Sequence, residues 1–216
     1  MATHKFFRQF VPNALAQFSI PSGHCWPQDK GINNYGLWPQ NPWSGNGNPW
    51  PLENCGYDGP GVLLNHVYGK LKPAAEEKVG SHLHLFDQSP FNNHTNKASA
   101  TSVGLGELGL LYVPANCAAG SQVRCALHVV FHGCQNPFFL EYPEMNEISY
   151  NRWAETNDIV ILYPHMGVHG PKDSKEEQGA CWDSYGETGR DYDTKQGVQM
   201  KAIAAMIETI AGKSFM

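Results

Sequence analysis

Apolar residues near the end of the chain recur at Met200, Ile203, Met206, Ile207 and Ile210, spaced 3, 3, 1 and 3 apart. That spacing places them on one face of a helix with 3.6 residues per turn. Asp193 to Gln196 resembles a capping box ahead of this helix, and Gly212 is placed as its C′ stop. Two other stretches are apolar without a period. Residues 126–131 end in His132-Gly133, and residues 159–163 lie between Asp158 and Pro164. Short continuous runs of this kind predict buried strands. Between them, residues 146–156 interleave Ile148, Arg152 and Glu155 as a helix would. Residues 83–86 and 108–113 are strand-like and enclose a polar loop over 92–102. Upstream, Asp58 stands as an N-cap with Pro60 in the first turn before Val62-Leu63-Leu64, and Gly69 weakens the end of that helix. Strand, helix, strand and helix in alternation predict an α/β fold with a parallel sheet.

Residues 26–57 break the pattern. Trp26, Trp38, Trp43 and Trp50 are separated by Gly, Asn and Pro, a composition unfavourable for regular helix or strand. Over 216 residues the length fits one core, or one core with an appendage. Charged residues make up 16% of the chain, low against about 25% in soluble domains. A formal charge of −5 argues against a general binder of nucleic acid or anionic membranes. No apolar run approaches the ~18 residues of a membrane span.

The six cysteines lack CxxC spacing, which disfavours zinc ribbons and thioredoxin-like sites. An even, dispersed set fits disulfides and an oxidising compartment, with free buried thiols in a reducing one as the alternative. Cys117 and Cys125 flank a Gly-containing turn and are close enough in sequence to close a small loop. Arg8, Gln9 and Pro12 interrupt any signal-peptide core at the start, although Ala14-Leu15-Ala16 has the form of a cleavage site. His82-x-His84 would put two rings on one strand face, but no third ligand is evident, so no metal or cofactor is expected. His128, His165 and His169 read as structural.

Chemistry is most visible at His132-Gly133-Cys134-Gln135, directly after the strand 126–131. α/β-Hydrolases place an oxyanion-hole amide at such a strand end, where Gly allows close backbone approach to substrate. Alone, the same pattern is also an ordinary strand-ending turn. Further signatures follow in order: residues 151–164 (Asn-Arg-Trp-Ala-Glu-Thr-Asn-Asp-Ile-Val-Ile-Leu-Tyr-Pro), then Ala180-Cys181-Trp182-Asp183, then residues 193–203. Together with His-Gly-Cys-Gln these resemble the poly(3-hydroxybutyrate) depolymerases and related esterases. Phe18-Ser19-Ile20-Pro21-Ser22-Gly23-His24-Cys25-Trp26-Pro27 and Asn54-Cys55-Gly56-Tyr57-Asp58 precede them. That order is similar to the circularly permuted, secreted depolymerases of fungal type, in which Ser, Asp and His come before the oxyanion segment.

The resemblance implies an α/β-hydrolase-like parallel sheet, circularly permuted and incomplete at the N-terminus, with residues 1–216 as part of one catalytic domain. His24 matches the catalytic base, the Cys134 backbone N–H matches an oxyanion donor, and Trp182 belongs to the substrate-binding rim. Implied disulfides are Cys25 with Cys55, which would tie off the Trp-rich loop, and Cys134 with Cys181, beside Cys117 with Cys125. The family tends to follow Cys-Trp-Asp with another Trp, where this chain has Ser184.

The substrate implied is a hydroxyalkanoate polyester or a short ester, and the enzyme implied is extracellular, monomeric when complete, and free of nucleic-acid or membrane partners. No Gly-x-Ser-x-Gly occurs in the chain, so the nucleophilic Ser and triad Asp are expected upstream of Phe18, in a further segment of roughly 100 residues or more. Without a nucleophile the chain alone is expected to show no esterase turnover. The competing expectation is a non-catalytic descendant that binds polymer or glycan through the Trp-rich loop.

Overall fold

The two continuous apolar runs lie side by side as parallel strands. The structure, a computed structural model, describes residues 2–20, 26–29, 52–54, 56–76, 79–93, 103–133, 149–167 and 180–212. In chain order its elements are α1 (Ala2–Phe7), β1 (Trp26–Gln28), β2 (Leu52–Asn54), α2 (Gly59–Tyr68), β3 (Leu83–Asp87), β4 (Leu108–Tyr112), β5 (Ala126–Val129), α3 (Ser149–Asn157), β6 (Ile159–Tyr163) and α4 (Val198–Ala211). They fall into two compact units, residues 1–62 and 63–216. No helix among the described residues is long and apolar enough to cross a membrane.

The larger unit holds a four-stranded sheet in the order β3-β4-β6-β5. β5 and β6 are parallel, with Leu127 opposite Val160 and Val129 opposite Leu162, and α3 lies in the crossover that a parallel pair requires. β4 runs antiparallel to both β6 and β3. The sheet is therefore mixed, where the alternation of elements predicted a parallel one. Between β3 and β4 the described residues carry only the 3-10 turn Ser89–Asn93. Strands joined without a crossover helix pair antiparallel.

Both faces are covered, as α/β architecture requires. On one face Leu162 and Met166 join Val103, Leu105 and the α4 residues Val198, Ala202, Ile203 and Met206 in one buried cluster. On the other, Ile159 and Ile161 are buried and the Tyr163 hydroxyl donates to Asn151 Oδ1 of α3 at 2.7 Å. Glu155 of α3 ties the sheet edge together by accepting from the Tyr112 hydroxyl, from His82 Nδ1 at 3.0 Å and from the Ala115 N–H at 3.3 Å. His82 thus has a structural partner. Cys117 and Cys125 are bridged, with Cα atoms 6.0 Å apart, just before β5.

Helix ends show which local signals survived folding. Asp58 caps α2, its Oδ1 accepting the Gly61 N–H at 2.8 Å, and Gly69 follows at φ +82°. α4 ends at Gly212, left-handed at φ 61°. Its start differs from expectation. The N-cap is Gly197 with no side-chain cap bond, and Asp193 to Gln196 form turns in which the Thr194 hydroxyl accepts the Gln196 N–H. A Cβ at position 197 would run into the Tyr192 carbonyl, which explains glycine there. Met200 is also displaced from the expected face and lies exposed, because Val198, Ala202 and Met206 centre the buried stripe away from it.

In the smaller unit, β1 and β2 pair in parallel with Trp26 opposite Leu52. The stretch 26–57 thus carries short strands at its two ends, where composition predicted loop throughout. Three-residue strands are too short to show a period, and only their mutual pairing creates them.

Gly109 supplies a stability prediction. A Cβ there would lie 2.6 Å from Gln88 Oε1 and 2.7–2.8 Å from the Phe86 ring. Gly109→Ala is expected to cost about 1–2 kcal/mol, read as a lower midpoint in chemical denaturation; an unchanged midpoint would show that β3 yields freely.

Candidate active site

β5 gives way to an exposed turn at Phe131-His132-Gly133, directly after the Val130 N–H has bonded the Leu162 carbonyl at 2.9 Å. The His132 ring is fastened at both nitrogens. Nε2 accepts the Met166 backbone N–H at 3.0 Å, so Nε2 carries no proton. The neutral ring must then be protonated at Nδ1, which donates to the Gly133 carbonyl at 2.7 Å. Burial pushes the His132 pKa down, against the Gly133 hydrogen bond, which raises it. With both nitrogens engaged, His132 has no free site from which to act as a general base.

Trp182 closes the turn from the other side. Its indole N–H donates to the His132 carbonyl at 3.1 Å. The ring stands edge-on to Phe131, centroids 4.9 Å apart, and tilts against the His132 ring at 5.5 Å. Asp183, the next residue, organises the loop that follows. Its carboxylate accepts the N–H groups of Tyr185, Gly186, Glu187 and Thr188 and the Thr188 hydroxyl. Burial raises the Asp183 pKa, but the Thr188 hydroxyl and the N–H groups of Thr188, Gly186 and Tyr185 outweigh it, giving about 2. Gln199 of α4 fixes this motif to the core. It accepts the Asp183 N–H at 2.9 Å and donates to the Val103 carbonyl at 3.1 Å.

Among the described residues, a Cβ built on Gly133 would meet no heavy atom within 4 Å. A backbone turn held from both sides, with room in front, is what a substrate carbonyl needs for close approach to main-chain donors.

Of the residues singled out in the sequence, Trp182 lies at this turn. Cys181 is disulfide-bonded. His24, Cys25, Cys55 and Cys134 lie outside the described residues, as do Trp38, Trp43 and Trp50. The supporting roles of Gln88, Asp183 and Gln199 had no local signal, since a polar residue in a polar stretch reads as surface.

No protein-family model matches the chain. The chain is 34% identical over 215 residues to a poly(3-hydroxybutyrate) depolymerase of Delftia acidovorans, covering 97% of itself and 38% of that protein. It is 34% identical over 166 residues to a polyhydroxybutyrate depolymerase of Talaromyces funiculosus, covering 74% of itself and 46% of that protein. Solved structures of a PHB depolymerase variant complexed with an R3HB trimer and of the PHB depolymerase from Penicillium funiculosum superpose with TM-scores of 0.65 and 0.64. Both are 29% identical to the chain, which spans 88% of its own length and 58% of theirs. Fold and strand-end turn together place the chain among α/β-hydrolase-like proteins. Within that class it belongs to the poly(3-hydroxybutyrate) depolymerase family, of whose curated relatives it spans less than half.

Proposed function

We propose that the chain forms part of a secreted, circularly permuted serine ester hydrolase acting on hydroxyalkanoate polyesters or short esters. The observation that carries this reading is the His132-Gly133 turn at the end of β5, held by Met166 and Trp182 and, among the described residues, unobstructed in front of Gly133. In the complete enzyme a serine hydroxyl attacks the ester carbonyl carbon while His24 takes its proton. The negative charge formed on the carbonyl oxygen is held by the Cys134 N–H. Collapse expels the alcohol, which receives the proton from His24, and water then releases the acid by the same steps. Trp182 offers one aromatic wall and Phe131, 54% exposed, another. Such flat apolar faces suit the methyl-bearing backbone of a polyester. The Cys117–Cys125 bridge supports an oxidising, extracellular location. The enzyme acts as a monomer and without a cofactor.

The test is hydrolysis of (R)-3-hydroxybutyrate oligomers by the protein purified from its native source. Release of the monomer acid supports the reading. Retention of polymer with no acid released would favour the binding descendant instead. Gly133 adds a sharper expectation. Among the described residues nothing obstructs a Cβ at position 133, so in Gly133→Ala thermal stability should stay within about 0.5 kcal/mol of the parent. Turnover should nonetheless fall about tenfold or more, because the methyl group enters the space where substrate approaches. Equal turnover in the two proteins would place the substrate elsewhere.

A further inference from the structure

Gln88 follows β3 and is fully buried, yet its carboxamide touches no part of the strand-end turn. It grips the backbone of His165 instead. Oε1 accepts the His165 N–H at 3.0 Å, and Nε2 donates to the His165 carbonyl at 2.9 Å. The same Nε2 reaches the carbonyls of Gly106 at 2.9 Å and Leu108 at 3.1 Å, so two hydrogens serve three acceptors. A side chain here takes the place of a neighbouring strand.

The next residue carries the consequence. Leu105 and Met166 form an antiparallel bridge, with the Gly106 N–H bonded to the His165 carbonyl and the Gly167 N–H to the Gly104 carbonyl. The Met166 N–H is left pointing away from that ladder, toward His132 Nε2. Its direction is therefore set by the residues that Gln88 holds. His132 passes the constraint on through Nδ1–H to the Gly133 carbonyl. The same bond thus holds the Gly133 carbonyl, the last group of the turn among the described residues.

We propose that Gln88 is a positioning residue which, through the His165–Met166 backbone, locks His132 in its Nδ1–H form and so fixes the Gly133 carbonyl at the end of the strand-end turn. Only the kinetic consequence rests on the ester-hydrolase reading; the lock itself is a property of this chain. The ring's neighbours are Phe131, Trp182 and His165, the last with its ring centroid 5.0 Å away. Among the described residues packed on it, His165 alone can titrate against it.

The chain itself, labelled with nitrogen-15, supplies the test. Ring nitrogen shifts of His132 should report a single Nδ1–H tautomer, and the Met166 amide should exchange with solvent as slowly as the core strand amides. Lowering the pH until His132 protonates should release that amide, so the two changes should occur together. In Gln88→Met, which keeps the volume but loses the amide, the ring should become a mixture of tautomers and Met166 protection should fall about tenfold or more. Asn92→Ala is the control. It removes two bonds to Leu105, of 3.1 and 3.0 Å, and should leave the tautomer unchanged.

An Nε2–H ring or a fast Met166 amide in the unaltered chain overturns the proposal, even if Gln88→Met fails to fold. So does a folded Gln88→Met with an unchanged tautomer and protection. In an actively hydrolysing protein the variant should lose kcat by about tenfold with KM unchanged. Absence of hydrolysis in the parent would sink the enzymatic reading while the spectra still decide the lock.

Discussion

Replacing His24 by alanine is expected to lower ester hydrolysis by a factor on the order of 10⁴ or more, with KM little changed. The expectation rests on the resemblance that assigns the base to His24, and the geometry of two other histidines agrees with it. The turn contains a second histidine, His132, and a nearby third, His165, either of which a sequence reader could promote to base. His132 is excluded by its bonds, since Nε2 already accepts from Met166 and Nδ1 already donates to Gly133. His165 is buried at 7% exposure beneath the turn, so its ring is not presented to substrate. The resemblance assigns the base to His24 instead. The measurement is best made on the hydrolysing protein at its native length, with His24 the only position changed. Altering His132 should cost less, on the order of 10²–10³ in kcat, because it disturbs an oxyanion donor and leaves the proton route intact. A His24→Ala protein that hydrolyses within tenfold of its parent would rule out His24 as the base.

What the sequence announced, and what it concealed, divides along physical lines. β5, β6, the ends of α2 and the C-terminal end of α4 were legible because each depends on neighbours in sequence: an unbroken apolar run, an Asp before Pro60, a Gly able to adopt positive φ. Strand direction was not legible, because β3 and β4 pair antiparallel for reasons that lie in their connection rather than their composition. The strand-end His-Gly was visible as a motif, yet its neutral, doubly bonded ring depends on Met166, 34 residues later. Gln88 was invisible for the same reason. A buried amide spanning 77 residues to His165 looks, in sequence, like any polar residue after a strand.

Asp183 carries the second large expectation. Asp183→Asn should destabilise the protein by about 2–3 kcal/mol near neutral pH, a fall in thermal midpoint of roughly 4–12 °C for a chain of this size. Five donors converge on the two carboxylate oxygens, at distances from 2.6 to 3.1 Å. Asparagine keeps the shape but must turn an NH₂ toward either three backbone N–H groups or the Thr188 pair. Partial exposure lets water satisfy some of them, which keeps the cost below that of a fully buried charge. The sign of the pH effect follows from a folded pKa of about 2 against an ordinary value of 3.8. The unfolded chain binds the proton more tightly, so the carboxylate's contribution is complete above about pH 4 and is lost as the pH falls through about 2. The stability gap between parent and variant should therefore be flat from neutrality down to about pH 5, then close toward pH 2. Because Trp182 precedes Asp183 and braces the His132 carbonyl, the variant should also change the intrinsic fluorescence of the folded protein at neutral pH. A gap that persists undiminished at about pH 2 would mean that the amide disrupts the loop by its shape, and that the charge contributes nothing to holding the wall of the site.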